Sequence, residues 1–292
     1  RPYFDKISPV ERFILSMIPV EFDENSINDY NNLNDQELFN VSTLNLVESI
    51  IGFRLLNEFG ADNTSTQWID CFNKIDLKIK LYLAELDRVS NLFNEKNIRL
   101  IALKNSGIAR GIYTYPGLVP MGDVDTLVKR SEFLDAHKVL VTNGYEIASP
   151  NEYHVADAEV GYRTGGSEYK TILPDGQQLW FELQWRPVEG RFLRPDQEPN
   201  GDDLIDRSIS INGTNLRILC PEDNLLQVCL HTAKHSYVRA PGFRLHLDVD
   251  RIVNGQSINW EIFIQNVIKH QVEIPTYFSL SIPKILFNTK IP

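Results

Sequence analysis

Two aspartates stand one residue apart in the stretch PMGDVDTLV, residues 120–128. On a strand, residues i and i+2 share a face, so Asp123 and Asp125 project together while Val124 points into the opposite layer. Two carboxylates that close raise one another's pKa, and a divalent cation removes the conflict. Mg²⁺ (or Mn²⁺) suits such a pair, because a hard cation takes oxygen ligands and is commonly shared between carboxylates and substrate phosphates. Gly122, just ahead, lets a phosphate-bearing ligand come close to the backbone.

A third acid lies in LWFELQW, residues 179–185. Alternation puts Phe181, Leu183 and Trp185 on one face and leaves Glu182 on the other. If that strand runs beside the aspartate strand, Glu182 completes a trio, with Glu168 and Glu159 as rivals for the place. Three carboxylates can hold two cations, one on a triphosphate and one lowering the pKa of an attacking hydroxyl. Lys104 follows an apolar run and opens a small polar loop with Asn105 and Ser106, a place for phosphates. Asn105 tolerates left-handed geometry, and Ser106 can donate to a phosphate oxygen. There is no GxxxxGK[ST] loop in the chain.

Other candidates carry less. His231 and His235 are four apart, but the residue after the first is Thr232 rather than the Glu of a zinc protease. They read as core histidines or as lining of a nucleotide pocket, with Asp248 as a hydrogen-bond partner and Lys234 and Arg239 adding positive charge. Trp180, Trp185 and Trp260 read as core. Cys71, Cys220 and Cys229 form no CxxC pair and read as reduced thiols of a cytoplasmic protein. A net charge of −10 provides no global field for holding nucleic acid and argues mildly against an RNA substrate. The sequence contains no signal peptide, and no apolar run approaches the ~20 residues of a membrane span. It opens on Arg1 and closes on Pro292, as a fragment of a longer protein would.

The elements that must position these residues follow from periodicity. A helix over 9–18, a polar connection over 23–40 and a second helix over 41–59 make residues 1–71 an N-terminal helical segment. Ile75, Ile79, Leu83, Leu86, Val89 and Phe93 recur every three or four residues, which predicts a long amphipathic helix over 72–95. A strand over 98–103, the loop 104–107, a short helix, the aspartate strand over 123–129 and a helix capped by Ser131 follow. A short strand over 145–148 comes next, then a hairpin of 169–173 and 178–185 that turns at Pro174-Asp175-Gly176. These complete a core over residues 72–202. Beyond it, a hairpin over 208–219 and a helix opened by Pro221 lead into three or four helices, the C-terminal region 203–292.

The stretches LKNSGIARGIYTYPGLVPMGDVDTLV, LWFELQW, PEDNLLQVCLHTAKH and RLHLDVDRIV together resemble an uncharacterised nucleotidyltransferase family of bacterial proteins, within the polymerase-β-like superfamily. The resemblance runs over roughly residues 75–292. It implies an α+β nucleotidyltransferase fold, a mixed sheet with helices, flanked by helical segments. It implies Mg²⁺-dependent transfer of a nucleoside monophosphate from an NTP such as ATP, releasing pyrophosphate, with Asp123, Asp125 and Glu182 as metal ligands and catalytic acids. Lys104 and the loop after it would bind the nucleotide phosphates beside Gly122. The acceptor is left open; a small molecule or a protein fits the charge better than RNA. Four positions depart from the pattern: Asn105 for Gly, Val119 for Arg, Thr126 for Leu and Gln184 for His. They motivate the alternative of a catalytically silent relative that binds a nucleotide or a protein.

Overall fold

The N-terminal segment begins at a capping box. Ser8 accepts the Glu11 N–H at 3.1 Å, the Glu11 carboxylate accepts the Ser8 N–H at 2.9 Å, and Pro9 opens helix α1 (Pro9–Met17). This computed structural model describes residues 7–22, 24–113, 115–148, 157–188, 193–238 and 242–292. The connection expected over 23–40 is a 3₁₀ turn, Glu24–Asn32, and then the start of a helix. Two helices, α2 (Asp35–Leu44) and α3 (Glu48–Phe59), stand where one was expected, because Leu46 takes a positive φ of 52° and breaks the run. Helix α4 (Thr66–Asn94) starts earlier than its apolar stripe predicts. Its first turns bury Trp68 among Phe13, Ile14, Ile51 and Leu55. Its later turns bury Ile79, Leu86, Val89 and Phe93 against the sheet. One helix therefore joins the two cores, and each fully buried Leu, Ile or Phe along it contributes roughly 1.5–3 kcal/mol.

The protein is α+β around a seven-stranded mixed sheet. Strand β1 (Ile101–Ala102) is followed by helix α5 (Lys104–Gly111), strand β2 (Val124–Leu127), helix α6 (Phe133–Thr142), strand β3 (Glu146–Ile147) and helix α7 (Ala158–Thr164). The hairpin β4 (Gly166–Ile172) and β5 (Gln178–Gln184) comes next, then helix α8 (Gly201–Arg207) and the short pair β6 (Ile209–Ser210) and β7 (Arg217–Ile218). The spatial order is β3-β4-β5-β2-β1-β7-β6, with β2 parallel to β5, β1 parallel to β7 and the other pairs antiparallel. The second hairpin thus lengthens the same sheet. Helices α9 (Pro221–Lys234), α10 (Phe243–Gly255), α11 (Trp260–Lys269) and α12 (Glu273–Phe287) close the chain.

Three local expectations are corrected. The strand over 98–103 shrinks to two residues, and the loop 104–107 is the first turn of α5. That helix lies so close to β1 that a Cβ on Gly107 would sit 2.8 Å from the Ala102 carbonyl oxygen. Ser131 does not cap α6; it lies in a 3₁₀ turn, Arg130–Glu132, that feeds the helix without a side-chain cap. Among the described residues no helix is long and apolar enough to cross a membrane.

Candidate functional site

Strands β2 and β5 run side by side in register, with Asp125 opposite Glu182. Glu182 is in turn opposite Glu168 on β4, so three acids form a row across three strands. Asp123 lies just before β2 and two residues from Asp125, on the same face. Ligand oxygens of Asp123, Asp125 and Glu182 all fall within 4.8 Å of one another. The trio read from the sequence is therefore brought together, with Glu182 in the third place and the exposed Glu168 beside it.

The backbone of the trio is pinned from behind. The Asp125 N–H donates to the Ser106 hydroxyl at 3.0 Å, and its carbonyl accepts the Leu103 N–H at 3.0 Å. Thr126 donates its hydroxyl to the Glu182 carbonyl at 2.8 Å, which locks the two acid-bearing strands together. Buried Gln184 directs its amide nitrogen to Asp125 Oδ1 at 3.4 Å. Two of the departures, Thr126 and Gln184, thus have definite work in holding the acids.

Lys104, the first residue of α5, reaches back to the acids. Its ammonium lies 2.5 Å from Asp125 Oδ1 and 3.4 Å from Glu182 Oε2. The backbone that delivers it has a φ of +49°, in the left-handed region that a lysine avoids unless its surroundings hold it there. Burial opposes the charge on Asp125, but Lys104 beside it holds the carboxyl down at about 2. Burial and the neighbouring Asp125 charge push Asp123 up to about 6. The pair is split in the way two adjacent carboxylates must be when one of them has the cation.

Asn105 and Ser106 turn their side chains to the protein. Ser106 is fully buried against Asp125 and Met121. Asn105, with its amide nitrogen facing Asp248, donates to both carboxylate oxygens at 2.9 and 3.0 Å. Asp248 also takes the Arg251 guanidinium at 3.1 Å, and buried Arg251 donates onward to the Leu118 carbonyl. This chain ties α5, α10 and the 3₁₀ turn Pro116–Leu118 behind the acids. Asp248 is thus taken up by Asn105 and Arg251. His231 and His235 meet edge to face at 4.7 Å. Burial, with Lys104 adding to it, keeps His231 well below the ordinary histidine pKa, so it is neutral at pH 7. Arg239 lies outside the described residues.

The acids open onto a cleft of about 320 Å³ lined by Gly122, Asp123, Glu168, Trp180 and Glu182. A Cβ on Gly122 would meet nothing within 4 Å, so the fold itself does not demand glycine there, and its open side belongs to the cleft. Trp180, expected in the core, is 39% exposed at this cleft. Its position was legible: it shares the parity of Glu182, two residues further along β5. Lys78, which frames the site with Arg244 and Arg251, lay in no quoted motif; the two arginines lie within RLHLDVDRIV, where the i, i+3 spacing of Asp248 and Arg251 was the one signal for a role.

Three clustered carboxylates with oxygen-only ligands fit a hard divalent cation. The sequence profile of a family described as Uncharacterised nucleotidyltransferase matches residues 45–288. Among solved structures, the chain is similar to an antigenic nucleotidyltransferase-like protein from Paracoccidioides brasiliensis, at 14% identity over 72% of this chain and 93% of that one, with a TM-score of 0.44. No curated protein matches the chain.

Proposed function

The chain belongs to the uncharacterised nucleotidyltransferase family, and from that premise we propose that it moves a nucleoside monophosphate from an NTP to an acceptor hydroxyl. In that reaction the acceptor oxygen bonds to the α-phosphorus, the bond from that phosphorus to the bridging oxygen breaks, and pyrophosphate leaves with the electron pair. The observation that carries the reading is the convergence of Asp123, Asp125 and Glu182 within 4.8 Å at an open cleft.

Asp123, Asp125 and Glu182 are the residues that would hold Mg²⁺ or Mn²⁺. Bound there, the cation would offset phosphate charge and make the acceptor hydroxyl easier to ionise. Glu182 lines the cleft, where its carboxylate can take the acceptor's proton. Lys104 steadies Asp125 and Glu182 in one geometry and keeps their mutual repulsion low before substrate arrives. Ser106, Thr126 and Gln184 fix the strands that carry the acids, so little reorganisation is needed during reaction.

The acceptor we propose is a small molecule or a protein side chain, in keeping with the net charge of −10. The test is incubation with each of the four α-labelled NTPs, Mg²⁺ or Mn²⁺ and fractionated cell extract. Label should appear on one acceptor with equimolar pyrophosphate, and Asp125→Asn and Glu182→Gln should abolish it. If those two variants leave NTP binding and turnover at the wild-type level, the reading fails. If wild type binds NTP and labels nothing, the chain is the silent relative that Asn105 and Val119 would suit.

A further inference from the structure

Resting on the nucleotidyl-transfer reading, we propose that Lys78 and Arg244 form the clamp for the triphosphate tail, a place the sequence suggests for Lys104 and its loop. A polyphosphate brought up to three carboxylates needs cations beyond the one ammonium already there. Lys104 is engaged by Asp125 and Glu182, Ser106 by the Asp125 backbone and Asn105 by Asp248. The segment just ahead of Asp123 brings no cation of its own, because it reads Val119-Pro120-Met121-Gly122.

Two helices bring positive charge to that segment from outside the sheet. Arg244, near the start of α10, donates Nη1 to the Pro120 carbonyl at 2.7 Å, three residues before Asp123. Its Nε is buried and has no hydrogen-bond partner among the described residues. Lys78, on α4, holds its ammonium 5.1 Å from the centre of the Tyr82 ring, and the Tyr82 hydroxyl reaches the Gly122 carbonyl at 3.5 Å. Among the described residues, neither Lys78 nor Arg244 has a carboxylate within salt-bridge distance. Asp123 and Arg244 both act on Lys78, and Arg244 also acts on Asp123, so the two cations are neighbours of one another and of that carboxylate. Neighbouring cations with an unfilled donor, next to candidate metal ligands and an open glycine, suit a multivalent anion. Asp123 then belongs both to the cleft lined by Trp180 and to the neighbourhood of the clamp, which suits a nucleotide laid across it.

The test uses inorganic tripolyphosphate with Mg²⁺, titrated calorimetrically into the full chain, and so requires no turnover. Lys78→Met and Arg244→Gln should each weaken binding at least tenfold and flatten its salt dependence, while Arg244→Lys retains most of the affinity. Lys78→Met replaces a partly solvent-facing side chain, so its melting temperature should match wild type and exclude a folding defect. Wild-type affinity in Lys78→Met and Arg244→Gln, with loss in Lys104→Met, would overturn the clamp and return the phosphates to Lys104. A chain that transfers nucleotide normally yet shows that pattern keeps the proposed function and loses only this assignment. Lys78-dependent tripolyphosphate binding without any transfer does the reverse.

Discussion

The ammonium of Lys104 lies 2.5 Å from Asp125 Oδ1 and also reaches Glu182 at 3.4 Å, so one lysine bridges the two strands that carry the acids. Any divalent cation taking those oxygens competes with it. A unit charge about 4 Å away in an effective dielectric near 20 is worth about 4 kcal/mol, and solvent access reduces that figure. Lys104→Met should therefore tighten Mn²⁺ binding by roughly tenfold, read by electron paramagnetic resonance of free Mn²⁺, while it lowers transfer. Unchanged or weaker Mn²⁺ binding would show that the lysine does not share those oxygens.

Asp123 carries the opposite signature. Its pKa rises from 3.8 to about 6 through burial and the Asp125 charge. A carboxyl whose folded pKa is raised contributes stability below its unfolded value, and that contribution is lost as pH rises through about 6. Asp123→Asn, neutral at every pH, should match wild type near pH 4 and be more stable above pH 7 in the presence of EDTA. The rise corresponds to at most about 3 kcal/mol, and solvent screening at the cleft mouth brings it to roughly 1 kcal/mol. Melting temperature against pH checks this; parallel curves for the two proteins would refute it. The same variant should lose Mn²⁺ binding.

Much of this site was legible because strand parity is rigid. The two-residue period fixed Asp123 with Asp125, and the hairpin at Pro174-Asp175-Gly176 fixed Glu182 against its neighbours. What parity cannot give is which strands lie side by side. The parallel pairing of β2 with β5 sets Asp125 opposite Glu182, and it depends on a crossover through helices α6 and α7 and strands β3 and β4. The loop read at 104–107 was helix for a similar reason: Ser106 has a tertiary partner in the Asp125 N–H that outweighs its preference for turns. Trp180 was assigned to the core on residue type, although its parity with Glu182 put it at the cleft.

The two terminal regions are joined through Asp250, which local pattern could not reveal. Its carboxylate accepts the Val20 N–H at 2.9 Å, the Thr289 hydroxyl at 2.7 Å and the Asn254 amide at 2.9 Å. Asp250→Ala takes the acceptor from the Val20 N–H and the Asn254 amide and leaves Thr289 only the Pro283 carbonyl at 3.2 Å, and should cost about 2–4 kcal/mol. Thr289→Val removes one of the three donors and should cost about 1 kcal/mol. Urea unfolding measures both. A midpoint for Asp250→Ala equal to wild type would mean that the junction contributes nothing to stability.

Trp180 provides a test of how the nucleotide lies. It is on the acid-bearing face of β5, two residues from Glu182, and the neighbouring Lys170 on β4 turns its ammonium to Glu146 at 3.2 Å, leaving the indole uncovered. An uncovered indole beside candidate metal ligands suits a nucleobase, and base–aromatic stacking is worth about 1–3 kcal/mol. Trp180→Ala should raise the NTP dissociation constant by roughly 5- to 150-fold. Mn²⁺ affinity and melting temperature should stay near wild type, because the side chain contributes little to the core. Trp180→Phe should retain much of the affinity, and tripolyphosphate, which has no base, should bind both variants like wild type. If Trp180→Ala binds every NTP as tightly as wild type, the base does not stack on this strand and the cleft receives the acceptor instead.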